Sequence, residues 1–467
     1  MEISVTATLG LAAIIFIIFK IVTRPKSKKN LLPEPWRLPI IGHMHHLIGT
    51  MPHRGVMDLA RKHGPLMHLQ LGEVSTIVVS SPRWAKEVLT TYDITFANRP
   101  ETLTGEIVAY HNTDIVLAPY GEYWRQLRKL CTLELLSNKK VKSFQSLREE
   151  ECWNLVKGPH WKRNQRPKEI YRISQRNTKA HGRVDVADIF PSKTLLHHLS
   201  GKRAKLTNIH NKLDSLIDNI IAEHPGNRTT SSQETLLDVL LRLKESVEFP
   251  MTADNVKAVI LDMFGAGTDT SSATVEWAIS ELIRCPRAME KVQAELRQAL
   301  NGKERIQEED IQELNYLKLV IKETLRLHPP LPLVMPRECR EPCVLGGYDI
   351  PSKTKLIINV FAINRDPEFW KDGETFMPER FENSPITVMG AEYEYLPFGA
   401  GRRMCPGASL GLANVELPLA HILYYFNWKL PNGIQDLDMT ESFGATVQRK
   451  SELVLVPTDF KTLEEST

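Results

Sequence analysis

Apolar residues recur at three- and four-residue spacing around 122–156, 204–223, 233–245, 253–285, 287–301 and 308–327, the period of helices with one buried face. Period-two alternation is confined to 67–80, 344–360 and 452–456. The pattern predicts a mainly α (α+β) fold: a large helical domain with small β-sheets, without internal repeats. Thr252 is an N-cap for a helix from about Ala253 to Cys285, with Pro286 as its stop. At 1.5 Å per residue that helix spans roughly 50 Å, enough to cross a domain.

The far N-terminus follows another rule. Ile3–Phe19 is an uncharged, mostly apolar run of about the minimum length for one membrane crossing. Arg24, Lys26, Lys28 and Lys29 follow it, and no positive charge precedes it, which argues against a cleaved signal peptide and for a cytosolic body. Residues 1–23 are thus expected to be a transmembrane anchor helix, 24–42 a basic, Pro-rich hinge, and 43–462 the catalytic domain.

With 467 residues, 42% hydrophobic and 25% charged, the chain has ample material for a core. The net charge of +3 conceals residues 157–183, where nine Lys or Arg face one acid, Glu169. That patch lacks interleaved aromatics, so no nucleic-acid partner is expected. Six scattered cysteines fit a reducing compartment, and Cys339 with Cys343 lacks the second pair that zinc spacing requires. Neither G-x-G-x-x-G nor a P-loop occurs, so dinucleotide binding within this chain is not expected.

The strongest chemical signal is Phe398-Gly399-Ala400-Gly401-Arg402-Arg403-Met404-Cys405-Pro406-Gly407. Gly399 and Gly401 let the backbone wrap closely around a ligand. Pro406 suits the first position of a helix, which places Cys405 at a helix N-terminus, where the dipole favours thiolate. The bland alternative is an inert buried cysteine after a glycine turn. A second signal lies inside the long helix, at Ala266-Gly267-Thr268-Asp269-Thr270-Ser271 after Gly265. Two interior glycines cost about 1 kcal/mol each, so a helix selected only for packing would avoid this cluster. A hydroxyl-lined groove for oxygen and water accounts for it, as does a plain kink.

With these motifs the sequence resembles the cytochrome P450s over nearly its whole length. The resemblance implies the P450 fold, haem b (iron protoporphyrin IX) bound to iron through Cys405, and O2 with NADPH-derived electrons as co-substrates. It implies cofactor contacts from Arg403, Trp124, Arg128, Arg337, Phe398, Gly399 and Gly401, and proton delivery by Thr270 and Asp269. Glu323, Arg326 and Arg380 match the family's buried structural lock. Leu32–Thr50, Phe96–Arg128, 258–277 and Tyr393–Leu412 are most similar to plant microsomal P450s that oxidise sesquiterpenes in the daisy family, on germacrene A or amorphadiene. That likeness implies stepwise oxidation of an allylic methyl to alcohol, aldehyde and acid, germacrene A being the expected substrate. It places a substrate pocket in the loop Glu106–Pro119 and at Phe264, Ala266, Leu333, Val334, Met335 and Phe443–Val447, including Ala445. Expected partners are NADPH-cytochrome P450 reductase, the endoplasmic reticulum membrane and a small apolar terpenoid.

The likeness stops at Lys157 and resumes at Val184. On the order of 20 to 30 residues, about two average helices, are expected to be missing there, as from a frame shift or mis-splicing. Two other readings therefore stay open: a poorly folded or inactive product, and a P450-type isomerase or dehydratase that needs no oxygen. Thr270 speaks against the isomerase.

Overall fold

The computed structural model describes residues 30–157, 186–193, 201–224, 234–245, 249–389, 392–432, 434–444 and 446–460. The expected anchor (1–23), the atypical segment beyond Lys157 and Ala445 lie outside the described residues. Among the described residues no helix is long and apolar enough to cross a membrane.

The helices that position the site are α1 (Pro52–His63), α2 (Pro82–Thr90), α3 (Glu122–Leu130), α4 (Gln145–Val156), α5 (Lys202–Glu223), α6 (Leu236–Lys244), α7 (Ala253–Arg284), α8 (Pro286–Ala299), α9 (Asn315–Leu327) and α10 (Ala408–Tyr425). Thr252 caps α7 as its sequence predicts: its Oγ1 accepts from Asn255 N at 3.1 Å, and Asn255 Oδ1 accepts from Thr252 N at 2.9 Å. The helix is unbroken through its glycines. Its hydroxyls donate to carbonyls one turn back, Thr270 Oγ1 to Ala266 O at 2.7 Å and Thr274 Oγ1 to Thr270 O at 2.8 Å, so the cluster leaves the backbone ladder intact. The main core joins α7, α8, α9 and α10 through Ala278, Leu282, Val292, Leu296, Val320 and Leu419.

Two expected helices are subdivided. The 122–156 pattern is split by a π-helical turn at Cys131–Leu135 and by Ser137, whose side chain caps a short helix at Asn138–Ser143. The 308–327 pattern divides into a 3-10 turn at Glu308–Ile311 and α9. Neither break carries a proline or a glycine, which hides both from a reading of periodicity.

Strands β1 (Leu66–Leu71) and β2 (Val74–Val79) form an antiparallel hairpin. β3 (Arg337–Glu338) and β6 (Lys355–Ile358) complete this sheet in the order β1-β2-β6-β3, with β2 parallel to β6, while β4 (Cys343–Leu345) and β5 (Tyr348–Ile350) pair separately. Phe426–Lys429 is β7, Glu441–Phe443 β8 and Val447–Arg449 β9, the last two forming a hairpin. The strand expected at 452–456 instead covers Val456–Asp459, β10, paired with β7. The spacer at 30–42 also packs: Gly42 bridges Leu71, and His43 Nδ1 accepts from Gln70 N at 2.7 Å.

Candidate active site

The cysteine loop is held by its glycines and by an aspartate. Gly399 and Gly401 have φ of 66° and 71°, the left-handed region. At Gly401 a Cβ would meet Asp93 Oδ1 at 2.6 Å and the Leu89 carbonyl oxygen at 2.9 Å, so only glycine lets the loop press against the end of α2. Asp93 Oδ2 accepts from Arg402 N at 2.8 Å, and Cys405 N donates to Phe398 O at 3.0 Å. Pro406 lies before the helix instead of starting it, because α10 begins at Ala408 with Gly407 as N-cap. Among the six cysteines, Cys405 is the exposed one. Its sulfur nonetheless sits low among protein atoms, and that burial pushes the thiol above its ordinary value, while the Gly407 amide and the Arg128 charge pull it down. Burial thus opposes the thiolate, which a metal cation bound at sulfur would favour.

Beside the loop four arginines converge. Arg403 donates to Ala97 O at 2.8 Å and Ala118 O at 2.6 Å, Arg128 to Met404 O at 2.6 Å, and Arg337 to Asp93 Oδ1 and Ala400 O, both at 2.8 Å. The fourth, Arg99, escaped the sequence reading; it donates to Val116 O, Met335 O and Pro336 O. Burial, then repulsion from Arg337 and Arg128, lowers Arg403 to about 9. Arg99 is lowered well below the usual guanidinium range by the same causes, burial first. Arg403 Nη1 is buried without a hydrogen-bond partner among the described residues. The Trp124 ring carries Arg403 at 4.0 Å and Arg128 at 5.4 Å, and its N–H goes to Ile115 O at 2.9 Å. Trp124 thus positions two arginines and directs its only donor at the protein.

Four clustered cations, Arg99 and Arg337 buried and Arg128 and Arg403 half-buried, with few acids call for an anionic ligand, and an exposed cysteine beside them suits a metal. Haem, with iron and two propionates, matches both demands. Cys405 would hold the iron; Arg99, Arg128, Arg337 and Arg403 would face the carboxylates.

Above the loop, α7 presents two faces. Asp262, Ala266 and Thr270, four apart, form one stripe, and Ala266 is exposed in mid-helix. Asp262 Oδ2 accepts from Ile115 N at 2.9 Å and Val116 N at 3.3 Å, in the loop whose Ala118 carbonyl receives Arg403. Asp269 is buried beside the stripe. Phe264 is two residues, about 200° of helix rotation, from Ala266. It turns with Thr268, Ser271 and Val275 into an apolar cavity of about 1330 Å³ lined also by Leu410 and Pro418 of α10. Phe264 and Ala266 therefore do not line one pocket. Leu333 likewise packs into the Val56, Met67 and Val78 cluster, Val334 (φ 51°) packs against the cluster holding Leu356, and Met335 offers its carbonyl to Arg99.

The predicted lock assembles behind the loop. Glu323 receives Arg326 through two bonds at 2.7 and 2.8 Å and Arg380 Nε at 2.9 Å, all three side chains being buried. Trp370, under Arg326, donates to Glu394 O at 3.1 Å, linking the lock to the segment that enters the cysteine loop.

The Cytochrome P450 family profile matches residues 32–178 and 161–456. The chain is 82% identical to cytochrome P450 71AV8 of Cichorium intybus and 77% identical to germacrene A hydroxylase of Barnadesia spinosa, with 100% of each chain covered in both cases. The first alignment runs over 503 positions against 467 residues here, which leaves 36 without a counterpart. A zebrafish cytochrome P450 structure with progesterone superposes with a TM-score of 0.72 at 26% identity, covering 88% of this chain and 98% of that one. A cysteine loop under a four-arginine cluster, a buried Glu-Arg-Arg lock and matches over most of the length make one case: the chain belongs to the cytochrome P450 family.

Proposed function

We propose that this monooxygenase binds haem b and oxidises an allylic methyl of a germacrene A-type sesquiterpene hydrocarbon, stepwise to alcohol, aldehyde and acid. The observation that carries the haem-thiolate chemistry is the exposed Cys405 beside four converging arginines, two of them buried. The hydrocarbon is supported by the 77% identical relative, named a germacrene A hydroxylase. P450 monooxygenases generally take electrons derived from NADPH through a redox partner and act on hydrophobic substrates with O2. For this chain the donor is NADPH-cytochrome P450 reductase, and the setting is the endoplasmic reticulum membrane, reached through residues 1–23.

Haem bound through a thiolate supplies oxygen cleavage. The chain's own residues govern access and protons. Thr270 spends its hydroxyl proton on Ala266 O, which leaves its oxygen lone pairs able to accept. Asp269, buried beside it, is the second proton-delivery residue. An apolar pocket separates two hydrocarbons differing by one methylene by only about 1 to 3 kcal/mol, so shape must orient the reacting methyl.

The test is the carbon monoxide difference spectrum of the reduced protein with a parallel product assay on germacrene A. A thiolate-type band with conversion to the acid is expected. A band without germacrene A turnover moves the substrate to another terpenoid. The 36 unmatched positions favour a second reading, a chain that fails to hold haem, and absence of any band would establish it.

A further inference from the structure

Asp114 and Asp262 meet inside the protein, one on the loop before α3 and the other on the Asp262–Ala266–Thr270 stripe of α7. Asp114 is 3% exposed. Its Oδ1 accepts from Leu117 N at 2.7 Å and Ala118 N at 3.1 Å, while Asp262 Oδ2 accepts from Ile115 N and Val116 N. The two carboxyls thus gather on four consecutive amides of one loop, near enough for each to feel the other's charge. Two carboxylates held that close repel each other unless one carries a proton.

We infer that Asp114 and Asp262 share one proton and so clamp residues 113–118 onto the middle of α7, making this pair positioning residues for the haem-side arginines. The amides hold Oδ1 of Asp114 and Oδ2 of Asp262, which leaves the second oxygen of each carboxyl for the shared proton. The clamped loop is where the site is assembled. Thr113 O accepts from Tyr123, Ile115 O from Trp124, Val116 O from Arg99 and Ala118 O from Arg403. The preceding residues Tyr110, His111 and Asn112 all have positive φ, a run with little intrinsic preference for this shape that needs tertiary contacts to keep it.

The charges around the pair allow the proton to stay. Burial pushes Asp114 up to about 6, against the Leu117 and Ala118 amides and Arg99, and lifts Asp262 well above the carboxylate range, reinforced by the Asp114 charge. Arg99 and Arg403 face Asp114, Tyr123 lies against it, and Cys131 lies against Asp262. Loss of the proton with rising pH sets two charges against each other and loosens the loop. The clamp stands whatever the reaction; only its effect on turnover rests on the oxidase reading.

Infrared difference spectroscopy of the unaltered protein between about pH 5 and pH 9 should show a protonated carboxyl that loses its proton above the ordinary Asp range. The D262N variant should lack that signal. Amide exchange at 115–118 should rise about tenfold in D262A and return to the wild-type rate in D262N, whose carboxamide accepts and donates in the same places. In the unaltered protein this exchange should quicken as pH rises beyond the intrinsic base catalysis seen in D262N. On germacrene A, D262A should raise KM more than it lowers kcat. Absence of a titrating carboxyl above the ordinary range, or exchange in D262N as fast as in D262A, overturns the clamp. Lack of turnover with the infrared signal present overturns only the oxidase reading.

Discussion

Glu323 takes both arginines of the lock without any solvent contact, and Arg326 also donates to Asn364 O and Gly373 O at 2.7 Å. Replacing Glu323 by Gln leaves buried guanidinium charge uncompensated, and we expect a loss of roughly 3–5 kcal/mol in urea unfolding of the holoprotein. Glu441 titrates in the opposite sense to the aspartate pair. Burial pushes its carboxyl up, but hydrogen bonds from His53 and Arg54 outweigh that and hold it at about 2, against an ordinary 4.5. A depressed folded value means stability present above pH 4.5 and lost as pH falls toward 2. E441Q should flatten the fall of the unfolding midpoint in that window, and an unchanged slope would contradict the assignment. The cysteine loop and the Glu323–Arg326 pair were legible because their residues are close in sequence. Asp93 was not: it meets Arg337 and Arg402 at separations of 244 and 309 residues, and Arg99 reaches Met335 across 236. Single side chains brought together by the fold leave no spacing to read.

Elements were legible where a cap or a proline marks them. The capping box at Thr252 and the stop at Pro286 fix α7 to within one residue of the sequence expectation. T252A should cost about 1 kcal/mol, read as a lowered urea midpoint with an unchanged carbon monoxide band. A cost near zero would mean that packing alone sets the helix start. The face pointing at the site was less legible than the helix itself. Phe264 sits within the motif that named the helix, yet three- and four-residue spacing sends it to the α10 side.

Across the whole molecule, Arg99, Arg128, Arg337 and Arg403 come from a loop, α3, β3 and the cysteine loop, so one anionic ligand ties four parts of the chain. Removing haem should lower the calorimetric unfolding temperature by more than lost contacts account for, because the arginines then repel one another. A ligand at 1,000 times its Kd adds about 4.1 kcal/mol. Sulfate should recover part of the loss in the haem-free protein more effectively than chloride at equal ionic strength, while the holoprotein should respond little. An equal response of both forms would remove the cluster from the account.

The parallel pairing of β2 with β6 sets Val79 opposite Ile358. During translation at about 5–20 residues per second, β2 waits roughly 14 to 56 s for its partner to leave the ribosome. For that time Val74-Ser75-Thr76-Ile77-Val78-Val79 offers an open, apolar strand edge. β1 pairs along the opposite edge of β2 and cannot cover this one, so the nascent chain needs a chaperone, and yield in a foreign host should depend on elongation speed and chaperone supply more than on the stability of the finished protein.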